Sequence, residues 1–325
     1  MKVAAQGEEA PVVSVLLVNY NTTALTSHCL ESLARVCRLS HEIILVDNAS
    51  RDLSLPLFSQ RFPGIRLVSN RTNLGFGPAV NQGAALARGR YLFLLNPDTE
   101  LREDSLSRLA NFLDEHAEIG VVGCTLAAPG GAVQPSAARF PTLLRVAAGR
   151  EVLVAALQRR WPALAARLTF FYPPGVLAQP TRVDWCVGAA LMVRKAAFDL
   201  IGGFDPRIFL YGEEIDLCLR LAWAGWPTYF YPGTALFHLV GASSDGELNP
   251  RRLALIAAGH RYFYRKHWGS LGGTCFIMVE LTAAALKGAV WQLAALMAPG
   301  STRSRYRDKA KWHFNYLKHY FSQKY

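Results

Sequence analysis

Read from its N-terminal end, the chain alternates short, continuous apolar runs with stretches of helical spacing. Val12–Val18 is an unbroken run rich in β-branched residues, the pattern of a strand covered on both faces. Thr22–Val36 carries Leu25, Leu30 and Leu33 at helical intervals. Glu42–Val46, Ile65–Ser69, Tyr91–Leu95 and Ile119–Cys124 read as further strands. Pro78–Ala87, with proline at its start, and the amphipathic Asp104–His116 read as helices. Short connections between such elements predict an α/β fold on a doubly wound, mostly parallel sheet. Further on, Leu143–Phe171 is Ala/Leu/Arg-rich and predicted helical. Trp185–Val193 reads as a buried strand, Glu213–Ala224 as a helix and Pro227–Tyr231 as a short strand.

The last eighty residues have a different pattern. Arg251–His267 reads as a basic, aromatic helix, and Thr274–Met297 is almost entirely apolar. As one helix the latter would reach about 36 Å, enough for a hydrocarbon core of about 30 Å. Glu280 and Lys287 interrupt it, and a charge near mid-membrane costs roughly 2.5–3.5 kcal/mol. Seven residues apart, they project from one face. That predicts a helix lying at an interface, or docked on protein, rather than an isolated span. Beyond it Arg303, Arg305, Arg307, Lys309, Lys311, Lys318 and Lys324 are balanced only by Asp308, with Trp312, Tyr316 and Tyr320 interleaved. An apolar helix beside a polybasic segment predicts association with an anionic membrane surface. The organisation expected is a catalytic domain over 1–240, with halves at about 12–125 and 126–240, and a helical extension over 241–325.

Ligands of doubly wound sheets sit outside the carboxyl ends of the strands. Those ends carry Asn19-Tyr20-Asn21, then Asp47-Asn48, then Asn70 with Asn73 and Gly75, then Asn96-Pro97-Asp98. Asp47 at the end of a second strand suits a hydrogen bond to a nucleotide's ribose or base. Asp98 reads either as a ligand for a divalent cation on a diphosphate or as an Asx turn closing its strand. Glu213, Glu214 and Asp216 open a helix. They read as an N-terminal charge preference or as the base that deprotonates a hydroxyl. His238 has weight only if it lies near Asp98. Trp185, Phe209, Tyr211 and Trp226 are candidate stacking surfaces for sugar rings, with core packing as the alternative.

The 325 residues carry 35 Lys and Arg against 24 Asp and Glu, a formal charge of +11, which favours an anionic partner. At 51% hydrophobic and 18% charged the chain is not disordered. Its six cysteines form no C-x-x-C and several sit in apolar runs, which points to a reducing compartment without structural zinc. Asn19-Tyr20-Asn21 stands where a dinucleotide enzyme needs G-x-G-x-x-G, and no P-loop occurs. A nucleotidyltransferase would want a basic, Gly-rich loop after the first strand. A nucleic-acid-binding module would spread its charge along a cleft rather than concentrate it in a tail.

The strings VSVLLVNYN, EIILVDNAS, NLGFGPAVNQGAALARGRYLFLLNPDTE, VGAALMVRKAAFDLIGGFDPRIFLYGEEIDLCLRLAWAGW and ALFHL occur in this order. Together they resemble family 2 glycosyltransferases, in the rhamnosyltransferase-like branch that builds bacterial surface polysaccharide, from about Val12 to Leu239. The resemblance implies a GT-A fold and a metal-dependent inverting transfer from a nucleotide-sugar, with Mg2+ or Mn2+. It further implies a lipid-linked glycan acceptor at the cytoplasmic face of the membrane, with dTDP-rhamnose as the donor and other UDP- or GDP-sugars as the alternative. Carried over by position, Asn19, Asn21, Asp47 and Asn48 would contact the nucleotide. Asn73, Gly75 and Asn81 would border the diphosphate. Asp98 matches the last acid of the family's D-x-D, with Asn96 in place of the first. His238 would complete the metal site, and Glu214 falls at the catalytic base, with Glu213 and Asp216 as neighbours.

Overall fold

Strand β1 (Val13–Asn19) is buried at every position, and its alternation explains why the run has no polar face. Val13, Val15 and Leu17 enter one core layer with Leu30 and Leu33 of α1 (Thr23–Val36) and Phe58 of α2 (Ser54–Arg61). Leu16 and Val18 point the other way, into a layer with Ala79, Val80 and Ala84 of α3 (Phe76–Leu86). A sheet covered by helices on both faces needs apolar side chains at successive positions. The computed structural model describes residues 10–52, 54–148, 157, 159–239 and 249–322.

The main sheet extends from β1 through β2 (His41–Asp47) to β3 (Arg66–Ser69) on one side and to β4 (Tyr91–Leu95) on the other, all parallel. β5 (Thr99–Leu101), β6 (Val121–Ala127) and β7 (Val133–Gln134) follow in sequence. The two-residue β8 (Ala137–Ala138), β9 (Thr181–Val183), β10 (Trp185–Cys186), β11 (Ala190–Arg194) and β12 (Thr228–His238) complete the strands. In space the order is β3-β2-β1-β4-β11-β6-β12-β5. β11 runs antiparallel to both β4 and β6, and β12 runs parallel to β6. The expected doubly wound, mostly parallel sheet is present, with an antiparallel insertion.

Three expectations are revised. The single strand expected over Trp185–Val193 is two: β10 pairs with β8 in a small second sheet, and the chain re-enters the main sheet as β11 after Gly188. The short strand at Pro227–Tyr231 is an eleven-residue β12. Its Pro232-Gly233 lies in a register shift against β6 between Tyr231 and Ala235. Helix α3 starts two residues before Pro78, at Phe76.

Besides this body, the chain forms a second compact unit comprising Arg139–Phe170, Leu210–Gly212 and Ser244–Tyr325. The helical stretch after Arg139, expected with the acceptor half, thus groups with the tail. Its described helices are α5 (Leu143–Ala148) and α6 (Pro162–Leu168); residues 149–156 and 158 of that expectation lie outside the described residues, as does Lys324. Between the units in sequence come α7 (Lys195–Leu200) and α8 (Glu213–Trp223) of the first body, preceded there by α4 (Ser105–Glu115). The tail is α9 (Pro250–Met297) and α10 (Gly300–His319). α9 is broken at Gly269, where φ is 68° and ψ −175°, a conformation that suits glycine. The chain reverses there: Tyr264 and Trp268, before the break, pack on Phe276 after it, at ring separations of 4.7 and 4.5 Å.

All five cysteines of the first body are buried, and Cys275 of α9 is exposed. Burial pushes the Cys29, Cys37, Cys124 and Cys218 thiols up to about 12, because a thiolate there would lose its hydration. A thiol-exchange titration of the native protein with Ellman's reagent is therefore expected to give one fast equivalent, at Cys275. The other five should appear only on denaturation; a second fast equivalent in the native protein would contradict this packing.

Candidate active site

The ends of β1 and β2 are locked together. Asn19 and Asp47 are register partners, and Asn19 is fully buried. Its Nδ2 donates to Asp47 Oδ1 at 2.7 Å and to Ser50 Oγ at 2.9 Å. Its Oδ1 accepts from Thr22 and Thr26 hydroxyls at 2.9 and 2.8 Å. Asn19 is therefore a brace that aims Asp47. Asp47 also accepts from Ser54 Oγ at 3.1 Å and from the Ser50 amide at 3.1 Å. Asn21, exposed and at φ 55°, accepts the Arg51 amide at 2.8 Å, and Ala49 sits at φ 66°. Left-handed backbone at a residue with a Cβ costs of order 1 kcal/mol, and the loops after β1 and β2 carry one such residue each.

Asn48 organises the next loop. Its Nδ2 donates to Asn73 Oδ1 at 2.9 Å and to the Gly75 carbonyl at 3.0 Å, and its Oδ1 accepts from Asn70 Nδ2 and the Leu74 amide. Asn73 Oδ1 also accepts the Gly75 amide at 2.9 Å. Asn48, Asn73 and Gly75 thus fix one another at the start of α3. Asn81, further along α3, grips the Phe204 peptide, donating to its carbonyl at 2.8 Å and accepting its amide at 2.9 Å. It secures the Gly202-Gly203-Phe204 turn.

Asp98 and His238, 140 positions apart, are brought together by strand pairing. The end of β12 runs antiparallel to β5, with His238 opposite Thr99 and the Leu239 amide donating to the Asp98 carbonyl at 2.9 Å. The register shift in β12 makes this approach, as bulges commonly re-aim a strand near a site. Glu103 Oε1 secures it by accepting from the Thr234 hydroxyl at 2.7 Å and the Ala235 amide at 2.9 Å. Asp98 is 2% exposed, and its Oδ1 is 3.5 Å from His238 Nε2.

Gln134 of β7 holds the other side of the imidazole. Its Nε2 donates to the His238 carbonyl at 2.8 Å, which orients the amide, so its Oε1, 3.0 Å from His238 Nδ1, must accept. Nδ1 then donates to Gln134, which leaves Nε2, on the Asp98 side, as the ring atom that can serve as a metal ligand. A carboxylate and a histidine nitrogen facing each other, the ring fixed through its second nitrogen, are a donor set that suits a cation between them. Among the described residues no group of three or more His, Cys, Asp and Glu side chains is placed to hold a metal. A hard cation on a diphosphate needs only one or two protein ligands, since phosphate and water supply the rest. The donor set fits such an ion.

The carboxylates of α8 divide by environment. Asp216 is fully buried, and its Oδ2 accepts from Arg220 Nε at 2.7 Å, while Arg220 Nη1 reaches the Ile201 carbonyl at 3.0 Å. Asp216, one of the alternative bases, is held in this ion pair inside the helix–turn packing. Glu213 is 7% exposed. Glu214 is half-buried and lies against Gly188, where an added Cβ would sit 3.6 Å from its own Cβ. The neighbouring Ala189 carbonyl accepts the Asn96 amide at 2.9 Å. Glu214 is thereby tied, through one loop, to the segment that carries Asp98. Asn96 itself closes the turn, its carbonyl accepting from Thr99 Oγ1 at 2.7 Å. Trp185 is buried beside Phe171 and serves the core rather than a ligand.

Glu103, Gln134 and Gly188 carry no sequence signal of their own; only the pairing of distant strands reveals their roles.

The fold is an open α/β sheet with a paired acid and imidazole at its strand ends. Residues 14–199 match the model of glycosyl transferase family 2, and the chain belongs to that family; it is a glycosyltransferase. An N-acetylglucosaminyl-diphospho-decaprenol L-rhamnosyltransferase of Mycobacterium tuberculosis is 30% identical over 239 residues, 70% of this chain and 76% of the relative. Rhamnosyltransferase WbbL of Escherichia coli is 27% identical over 213 residues, 61% of this chain and 72% of the relative. Among solved structures, the mannosyltransferase PcManGT of Pyrobaculum calidifontis, with GDP-Man and Mn2+, superposes with a TM-score of 0.59 at 14% identity, covering 99% of this chain and 90% of that one. The fold is GT-A.

Gly75 sits at φ 91°, and a Cβ there would lie 2.3 Å from the Phe209 carbonyl oxygen. Gly75→Ala is expected to cost at least about 2 kcal/mol through strain and overlap. Urea denaturation measures it; a change under about 0.5 kcal/mol would show that the loop can move aside.

Proposed function

We propose that the protein is an inverting, metal-dependent rhamnosyltransferase that moves L-rhamnose from dTDP-rhamnose to a lipid-linked glycan in surface polysaccharide synthesis. The observation that carries this reading is the meeting of Asp98 and His238 at the rim that also holds Asp47 and, through Gly188, Glu214. The names of the relatives supply the sugar and the class of acceptor, a saccharide on a polyprenyl diphosphate. Such an acceptor puts the enzyme at the inner face of the cell membrane, as a peripheral cytoplasmic protein.

In this reading Asp47, held by Asn19, Ser50 and Ser54, receives the nucleotide base. The loop fixed by Asn48, Asn73 and Gly75 borders the diphosphate, with Asn21, Asn81 and Asn96 supporting the surrounding turns. Asp98 and His238 would hold the Mg2+ or Mn2+ ion, which when bound neutralises charge on the nucleoside diphosphate. Glu214 takes the proton of the acceptor hydroxyl as its oxygen forms a bond to the anomeric carbon. The bond from that carbon to the diphosphate oxygen breaks on the opposite face, and the electron pair leaves with the diphosphate. One base suffices, because a nucleoside diphosphate leaves without protonation. Gln134 keeps the His238 proton on Nδ1 and so keeps Nε2 a ligand.

Incubation of the full chain with polyprenyl-diphospho-GlcNAc and a donor panel, read by mass spectrometry, tests the assignment. The expected result is addition of one deoxyhexose from dTDP-rhamnose. Transfer only from a UDP- or GDP-sugar would replace the donor.

Glu214→Gln is expected to lower kcat by roughly a hundredfold or more while leaving the dissociation constant for dTDP near its original value. Full turnover in that variant would move the base to Glu213. Asp98→Ala should remove activity by about a thousandfold, the scale of several kcal/mol of charge stabilisation. Gln134→Leu should weaken Mn2+ binding in the presence of dTDP roughly 10- to 100-fold, as read by electron paramagnetic resonance. Unchanged Mn2+ affinity would deny Gln134 its positioning role.

A further inference from the structure

The second half of α9 is two-sided in an unusual way. Of residues 270–297, fourteen are exposed, and none of them carries a charge. Leu271, Met278, Leu286, Leu293 and Met297 are between 59% and 87% exposed and recur at intervals of seven, eight, seven and four. They form one stripe about 39 Å long at 1.5 Å per residue. Soluble proteins seldom expose a continuous apolar surface of this extent without a partner for it.

The charges expected to interrupt this helix are turned inward. Glu280 is received by the rest of the helical unit: His260 Nδ1 lies 2.7 Å from its Oε1, and the Tyr316 and Tyr320 hydroxyls donate to it at 3.1 Å each. Burial and the neighbouring carboxylate push the Tyr316 and Tyr320 phenols above their usual range, so both remain donors. Lys287 is half-buried on the same side. The inward face is closely packed, since a Cβ on Gly288 would meet the Phe314 ring at 2.9 Å. Trp291 packs on Tyr306 at 5.2 Å, and Lys309 Nζ lies 4.3 Å above the Trp291 ring. A helix covered by protein on one side and free of charge on the other is built to lie on an apolar medium rather than to pass through it.

The flank identifies the medium. α10 lies along this helix and exposes Arg303, Arg305, Arg307, Lys311 and Lys318, with Phe314 and Phe321 also exposed. Two copies packed stripe to stripe would bring two such cationic helices together. A bilayer with anionic headgroups offers hydrocarbon to the stripe and counter-charge to the flank.

We propose that the charge-free stripe of α9 is the surface by which the protein seats itself on an anionic membrane, with α10 at the headgroups. This rests on, and sharpens, the reading of a membrane-borne acceptor, but its test does not depend on transfer. Cys275 lies on the stripe and is the exposed cysteine, which makes it a native probe.

The full chain labelled at Cys275 with an environment-sensitive nitrobenzoxadiazole dye is mixed with vesicles of phosphatidylcholine containing 30% phosphatidylglycerol. The expected result is a blue-shifted emission, quenched by spin-labelled acyl chains, with binding at least tenfold weaker on pure phosphatidylcholine or at 1 M salt. Leu286→Glu with Leu293→Glu should weaken vesicle binding at least tenfold while transfer to a water-soluble acceptor is unchanged. Wild-type protein that ignores anionic vesicles, or a double variant that binds them as well as wild type, overturns the proposal. So does a stripe found buried in a homodimer by light scattering that the double variant abolishes. Wild-type protein that transfers the sugar but does not bind the vesicles sinks the membrane face alone; wild-type protein that binds the vesicles but transfers from no donor sinks the functional reading alone.

Discussion

The site depends on one strand reaching past its natural end. β12 could have stopped at Tyr231, where its first register with β6 ends. The shift across Pro232-Gly233, held by Glu103 on the Thr234 hydroxyl and the Ala235 amide, carries it on to pair with β5. Only that pairing sets His238 opposite Thr99 and next to Asp98. Neither residue has a local reason to find the other. Their proximity is a property of backbone hydrogen bonds formed between segments far apart in sequence.

Around that contact the polar side chains sort into two kinds. Asn19, Asn48 and Asn81 are buried or half-buried, with both ends of their amides engaged by the protein. They make loops rigid, at positions where a buried amide must be satisfied to be tolerated at all. Asp47 is held by the first of them, Asn19, while Asp98 and His238 are placed by strand pairing and Glu214 by its helix; these four are the groups proposed to act on the ligand. The loop after β1, with Asn21, and the loop after β2, with Ala49, both hold left-handed backbone at some cost, sustained by the hydrogen bonds that join them.

The sheet was legible because burial on both faces writes itself as unbroken apolar runs, and β1, β2 and β4 fall within a residue or two of their expected limits. The breaks at Gly188 and Pro232-Gly233 were not, since both are decided by which strand the chain meets next. Asp98 and His238 could be named from the sequence as candidates, with the resemblance to a known family supplying their partnership. The brace function of Asn19 and the ion pair of Asp216 with Arg220 could not, because a side chain's hydrogen-bond partners in a buried loop leave no pattern in spacing. Gln134 lies in a two-residue strand without any periodic signal. In the tail, the shared face of Glu280 and Lys287 was readable from their separation of seven. The structure adds that the face looks inward, onto His260, Tyr316 and Tyr320.

The central claim is that the rim formed by Asp47, Asp98 and His238 seats a nucleoside diphosphate with its cation. Crystals of the full chain grown with dTDP and Mn2+, with diffraction recorded at the manganese absorption edge, test it most directly. The account predicts one anomalous peak within coordination reach of both Asp98 and His238 Nε2, with the base of the nucleotide at Asp47. A nucleotide bound elsewhere, or manganese seated away from that pair, would contradict it.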